Sequence, residues 1–177
     1  MPNNPFDTLG LTPRFDLDPE ELHRRFIAGS AANHPDRFLE PLDQADAADR
    51  SARINQAYRV LRDPQSRAEA LLLVLGGPTA QADKSLPADL LDTMMERREE
   101  LEAATARNDK AALVRLHQWA ADQHAAHLGR IATLLAQAAA ASTATPGSTA
   151  PLLREARREL NALAFFRRML DETPETA

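Results

Sequence analysis

Helix-breaking residues cut this chain into segments, and between the breaks apolar residues recur at helical spacing. Asp18-Pro19-Glu20-Glu21 reads as a helix start. Asp18 caps, Pro19 suits the first helical position, and Glu21 completes a capping-box-like pattern. Pro35 pushes His34 out of helical geometry, so that helix stops near Asn33. Asp63-Pro64 ends one helix and starts the next, and Gly76-Gly77-Pro78 breaks it. Asn108-Asp109 makes a tight turn, with Asn108 as the expected cap.

The spacing predicts a short helix over Pro5–Leu11 and a longer one carrying Leu22 and Phe26 one turn apart. A third runs from Gln44 to Arg62, where Ile54, Ala57, Tyr58 and Leu61 form one apolar stripe. The helix after Pro64 carries Ala68, Leu71, Leu72 and Leu75. Beyond the break, one helix spans about Pro87–Arg107 and a long one follows to about Ala141. The long helix presents Leu113, Leu116, Ala120, His124, Ile131 and Leu135 for packing. The last runs from Leu152 to Asp171, with Ala156, Leu160, Leu163 and Phe166 on one side. No stretch of alternating β-branched residues marks a strand. Aromatic residues are only 5% and Ala and Leu dominate, which favours helices. The expected fold is all-α: a small helical domain over residues 1–76, a linker over 77–86, and an antiparallel three-helix bundle over 87–177. The small-residue run at 142–151 reads as a loop.

Composition excludes several functions. A net charge of -5 gives no basic footprint for nucleic acid. There is no cysteine, hence no disulfide, thiolate metal site or cysteine nucleophile. No apolar run approaches a membrane span and the first residues do not read as a secretory signal, so a cytoplasmic protein is expected. His124 and His127 share a helix face with His117 two turns back, but no HExxH pattern or acidic partner set accompanies them. They read as packing or surface residues, and no metal or cofactor is expected. No Gly-rich phosphate loop, nucleophile or acid–base pair assembles, so an enzyme has no support.

His34-Pro35-Asp36 sits in the connection between two predicted helices. Pro35 fixes the backbone, and Asp36 offers a carboxylate that an arginine can grip with two parallel hydrogen bonds. Alone, the triplet is only a helix terminator followed by a loop acid. Its surroundings add more. Phe6-Asp7-Thr8-Leu9-Gly10-Leu11 precedes the capped helix, His34-Pro35-Asp36-Arg37-Phe38 follows it, and Ile54-Asn55-Gln56-Ala57-Tyr58 through Asp63-Pro64 closes the next. This order resembles the J-domain over residues 5–75. The resemblance implies an antiparallel hairpin whose tip docks on a DnaK-like chaperone and stimulates its ATP hydrolysis. It assigns that contact to His34, Pro35 and Asp36, with Arg24, Arg25 and Arg37 beside them.

Three further stretches narrow the family. They are Arg67-Ala68-Glu69-Ala70-Leu71-Leu72, Met95-Glu96-Arg97-Arg98-Glu99-Glu100-Leu101-Glu102 and Leu163-Ala164-Phe165-Phe166. Together they resemble the HscB family of J-domain co-chaperones, over most of the chain. That likeness implies two partners, the chaperone HscA and the iron–sulfur scaffold IscU, which HscA helps to release its cluster. Some eukaryotic relatives carry a cysteine-rich N-terminal module; this chain lacks it and so looks like the bacterial type. By the same likeness the scaffold-binding patch maps to Leu91, Met95, Glu96, Glu99 and Phe165. Leu90, Met94 and Leu101 would serve the core. Without the family, a Leu/Met stripe at this spacing is more often core than binding surface. Asp92 and Ala103 depart from the family pattern, where an apolar residue and an acid are common.

The helix before the tripeptide also departs. Its last turns read Ala28-Gly29-Ser30-Ala31-Ala32-Asn33, without the expected basic residue near Ala31 or the bulky apolar one near Gly29. A glycine there costs about 1 kcal/mol relative to alanine. This implies a weaker chaperone contact, or one resting more on Asp36, Arg24 and Arg25. Two rival readings remain: a J-domain co-chaperone with another client, and a helical adaptor with a weakened J-domain.

Overall fold

The computed structural model describes residues 4–34, 40–88, 90–144 and 149–176, with the side chains of 142–144 left aside. Among the described residues there are seven helices and no strand: α1 Pro5–Thr8, α2 Pro19–Ala32, α3 Pro41–Arg62, α4 Pro64–Val74, α5 Leu90–Ala106, α6 Lys110–Ala144 and α7 Ala150–Glu172. They form two units, residues 1–75 with α1–α4 and residues 76–177 with α5–α7.

Local chemistry sets most helix starts. Asn4 caps α1 through its side chain, Asp18 accepts from the Glu20 N–H at 3.0 Å, and Asp63 accepts from the Ser66 N–H at 2.8 Å. Glu21 does not close a capping box; its carboxylate lies beside Arg14 and Arg25 at 3.5 and 3.6 Å. α3 begins at Pro41, three residues before the expected start, because a proline fits the first helical turn. The cap at the start of α6 is Asp109, not Asn108. Asp109 Oδ1 accepts from the Ala112 N–H at 3.0 Å, while Asn108 takes the left-handed φ of 52° that reverses the chain. α6 runs on to Ala144 and α7 starts at Ala150, so helix takes up part of the expected loop.

In the first unit, α2 and α3 pair as a hairpin. Phe26 stacks on Tyr58 with ring centroids 4.2 Å apart and planes 15° off parallel. Gly29 lies against Ile54: a Cβ at residue 29 would sit 3.4 Å from the Ile54 Cδ1. The missing bulk at Gly29 therefore lets the end of α2 approach α3. Phe6, Leu61, Leu71 and Leu72 are fully buried. Each such side chain contributes about 1.5–3 kcal/mol by leaving water. Arg67 is held on the surface of this core. Its Nη1 donates to the Leu61 carbonyl at 3.0 Å, and its guanidinium lies 5.1 Å from the Phe15 ring centre.

In the second unit, α6 and α7 form a long antiparallel hairpin. α5 packs near the turn that joins it to α6. Leu101, Ala104, Ala112, Leu116, Ala120 and Met169 make the core there, with Trp119 and Phe165 packed against it. Further along, Ile131, Leu135, Ala138, Leu153, Ala156 and Leu160 are buried. The segment read as a linker is fastened to α7. Asn161 Nδ2 donates to the carbonyls of Asp83 and Ser85 at 3.0 and 2.8 Å. Arg158 Nε reaches the Ser85 hydroxyl at 3.3 Å.

Candidate functional site

The first candidate surface is the exit of α2. Arg24, Arg25 and His34 are exposed. Arg25 is shared with Glu21, so its charge is partly engaged on its own helix. Pro35, Asp36 and Arg37 lie outside the described residues. What can be followed is the helix end that leads into them. The Asn33 N–H donates to the Gly29 carbonyl at 3.1 Å, and its Nδ2 donates to the same oxygen at 2.9 Å. Arg50 Nε on α3 donates to Asn33 Oδ1, also at 2.9 Å. Earlier on α2, His23 adds a second contact to α3, its Nδ1 3.4 Å from the Tyr58 hydroxyl.

The second candidate surface is on α5. Its apolar residues divide between two faces. Leu101 is buried, and Leu90 and Met94 are half-buried. Leu91 and Met95, one turn apart, are 59% and 57% exposed. These two do not serve the core. Glu96 and Glu99 are exposed beside them. Phe165 on α7 is half-buried, packed on the core and meeting Phe166 edge-on at 5.4 Å. The row through Leu91 and Met95 continues to Arg98, whose guanidinium bridges Glu102 and Glu172, each at 3.0 Å. The hydrogen bond from Arg168, helped by Arg98, holds the Glu172 carboxyl below the usual carboxylate range. A groove at this end is lined by Arg98, Leu101, Glu102, Thr105, Ala106 and Glu172.

The three histidines go to separate tasks. His117 Nδ1 meets the Thr173 carbonyl and hydroxyl at 3.1 Å, at the end of α7. His127 is buried and pairs with Glu159 at 2.6 Å. His124 is half-buried. Among the described residues no group of three or more His, Asp or Glu side chains could hold a metal ion.

Residues 4–70 match the DnaJ domain, and residues 86–173 match the HSCB C-terminal oligomerisation domain. The chain belongs to the HscB family of co-chaperones. A co-chaperone protein HscB homolog from Vibrio cholerae is 40% identical over 115 residues, covering 63% of this chain and 67% of that protein. Another, from Bordetella petrii, is 37% identical over 134 residues, 73% of this chain and 77% of its own length. Among solved structures, chaperone HscB from Vibrio cholerae superposes with a TM-score of 0.72 at 31% identity, over 96% of this chain and 94% of that one. Human co-chaperone HscB gives 0.78 at 19% identity over 96% and 80%, a likeness of fold. The HscB reading of the sequence thus stands, with its J-domain and its all-α architecture. No described helix is long and apolar enough to cross a membrane.

The sequence reading missed the Asn33–Arg50 bond, the docking of residues 83–85 on α7 and the His127–Glu159 pair. Only the last had a usable signal. Ala120, His127 and Ile131 lie on one row of α6, seven and four residues apart, which places His127 on the packing face.

Proposed function

We propose that this HscB-family protein carries the iron–sulfur scaffold IscU to the DnaK-like chaperone HscA in the cytoplasm and stimulates the ATPase of HscA. Cluster assembly and transfer benefit. ATP hydrolysis belongs to the chaperone, and this chain contributes binding and timing rather than catalysis of its own.

The observation that supports the reading is the outward placement of Leu91 and Met95 on a helix that buries Leu101 and Ala104 in the core. Two adjacent apolar side chains more than half in water, bordered by Glu96 and Glu99, make a small apolar centre with a charged edge. Such a patch suits a contact that forms and releases. Desolvation of Leu91, Met95 and Phe165 supplies affinity, and the carboxylates guide encounter with basic groups on the scaffold. At the other surface, His34, Pro35 and Asp36 engage the chaperone, with Arg24, Arg25 and Arg37 facing its acidic groups.

Steady-state ATP hydrolysis by HscA, with IscU present, tests both surfaces together. The native chain should accelerate turnover strongly, and Asp36→Asn should abolish the acceleration. No acceleration by the native chain would leave a helical scaffold-binding adaptor as the better account. Acceleration with a different client in place of IscU, and none with IscU, would retain the J-domain and reassign the second unit.

A further inference from the structure

The last turns of α2 are a helix end of little intrinsic strength. From Ala28 to Ala32 no side chain is larger than a serine, and Gly29 adds backbone freedom. Helix ends leave their final carbonyls without intrahelical partners, and they fray unless something closes them. Here Asn33 closes the Gly29 carbonyl. The Asn33 main chain and side chain both donate to the Gly29 carbonyl, at 3.1 and 2.9 Å.

That closing residue is itself held from the other helix. Arg50 can only donate, so the Asn33 side-chain atom facing it is the oxygen, and the amide nitrogen is left for Gly29. The orientation of the amide is thus fixed from both sides. The contact spans 17 residues of sequence and lies where Gly29 brings α2 close to Ile54. Two features of this end serve one arrangement: the small residues permit the approach, and the Asn33–Arg50 bond locks it.

One peptide bond separates Asn33 from His34, the first residue of the tripeptide. Any rotation about the Asn33 backbone turns everything that follows. We propose that Asn33 and Arg50 are a positioning pair, fixing the direction in which the chain leaves α2 and hence how His34-Pro35-Asp36 is presented to the chaperone. The pair supplies the order that larger side chains in the last turn would otherwise give. The inference rests on the co-chaperone reading above.

The test uses the full-length protein in the HscA ATPase assay, titrated to saturation, for the native chain, Asp36→Asn, Asn33→Ala, Arg50→Ala and the double variant. Melting temperatures are recorded for all. A lost hydrogen bond that acts only on the productive arrangement lowers the plateau of stimulation about fivefold. The double variant should fall no further than Asn33→Ala, because that change already removes the link that Arg50→Ala breaks. The concentration giving half the plateau should move less than the plateau does. An unchanged plateau in both single variants would overturn the pairing, as would losses that multiply in the double variant. So would a loss that disappears on cooling well below the melting temperature, since that marks partial unfolding. Should an alanine variant unfold, Asn33→Leu keeps the bulk and removes both polar atoms: a lowered plateau supports the proposal and a native one overturns it. If the native chain gives no stimulation, or Asp36→Asn keeps it, the co-chaperone reading itself fails and takes this inference with it. Normal native stimulation, lost in Asp36→Asn but unaffected in the pair variants, removes this inference alone.

Discussion

The Nδ1 of His127 on α6 lies 2.6 Å from the Oε2 of Glu159 on α7, inside the second unit where both residues are buried. A carboxylate only accepts, so His127 carries its proton on Nδ1. Arg130 donates to the same oxygen from the surface at 2.9 Å. Burial lowers the His127 pKa below its ordinary 6.5, and the nearby Arg130 adds to this; together they outweigh the upward pull of Glu159. The ring is therefore neutral in the folded protein near neutral pH.

A pH dependence follows. The unfolded chain takes up a proton at this histidine from about pH 6.5 downward, while the folded chain resists it. The contribution is fully present above that pH and is lost as pH falls toward the lower, folded-state pKa. Urea unfolding of the native protein should show a midpoint that drops on acidification from pH 7.5 to 5. His127→Gln should show a shallower drop. Equal slopes would mean that other groups set the acid response.

If α5 is the proposed scaffold-binding surface, changes at its exposed residues should affect binding and spare folding. Leu91→Ala combined with Met95→Ala removes side chains already more than half in water, so stability should change by less than about 0.5 kcal/mol per site. Affinity for IscU should fall by about 2 kcal/mol, which is roughly thirtyfold. Calorimetric titration beside thermal melting measures both. Unchanged affinity would move the scaffold to another face.

The turn between α5 and α6 gives a paired test. Asp109→Ala removes the cap on α6 and should cost about 1 kcal/mol. Asn108→Gly should be neutral or slightly stabilising, because φ at this position is 52°. Reversed effects in chemical denaturation would return the capping role to Asn108.

Lys84 lies between the two carbonyls that Asn161 holds. Asn161→Ala should free this segment and raise the rate of trypsin cleavage at Lys84 about tenfold, corresponding to two lost hydrogen bonds. Mass spectrometry of a short digest would show it. An unchanged rate would mean that Arg158 alone fastens the segment.

What the sequence made legible was mostly local. Asp18 and Asp63 announce helix starts because cap and helix are neighbours in the chain, and the glycines and prolines end helices for equally local reasons. Asn108-Asp109 was read as a turn, yet the cap was placed one residue early; composition alone cannot say which of two capping residues enters the left-handed region. The apolar residues of α5 read as two stripes, Leu90, Met94 and Leu101 for the core and Leu91 with Met95 beside them, and the exposures follow that division; spacing alone does not say which stripe meets water, since it is the same for both. Asn33 with Arg50 and His127 with Glu159 are 17 and 32 residues apart. Such pairs depend on which helices meet, and no spacing rule within one helix encodes that.

α6 has 35 residues and α5 has 17. At 1.5 Å per residue, α6 is roughly 50 Å long and α5 about half of that. Within the second unit, α5 braces only the end of the α6–α7 hairpin where Leu101, Leu116 and Met169 meet. Amide hydrogens should accordingly exchange slowly in that end and faster toward Ala144 and Ala150, where opening needs fewer side chains to separate. The α6–α7 pair then opens first from the Ala144 and Ala150 end, while the turn of α5 that carries Leu101 and Ala104 stays on the side that opens last.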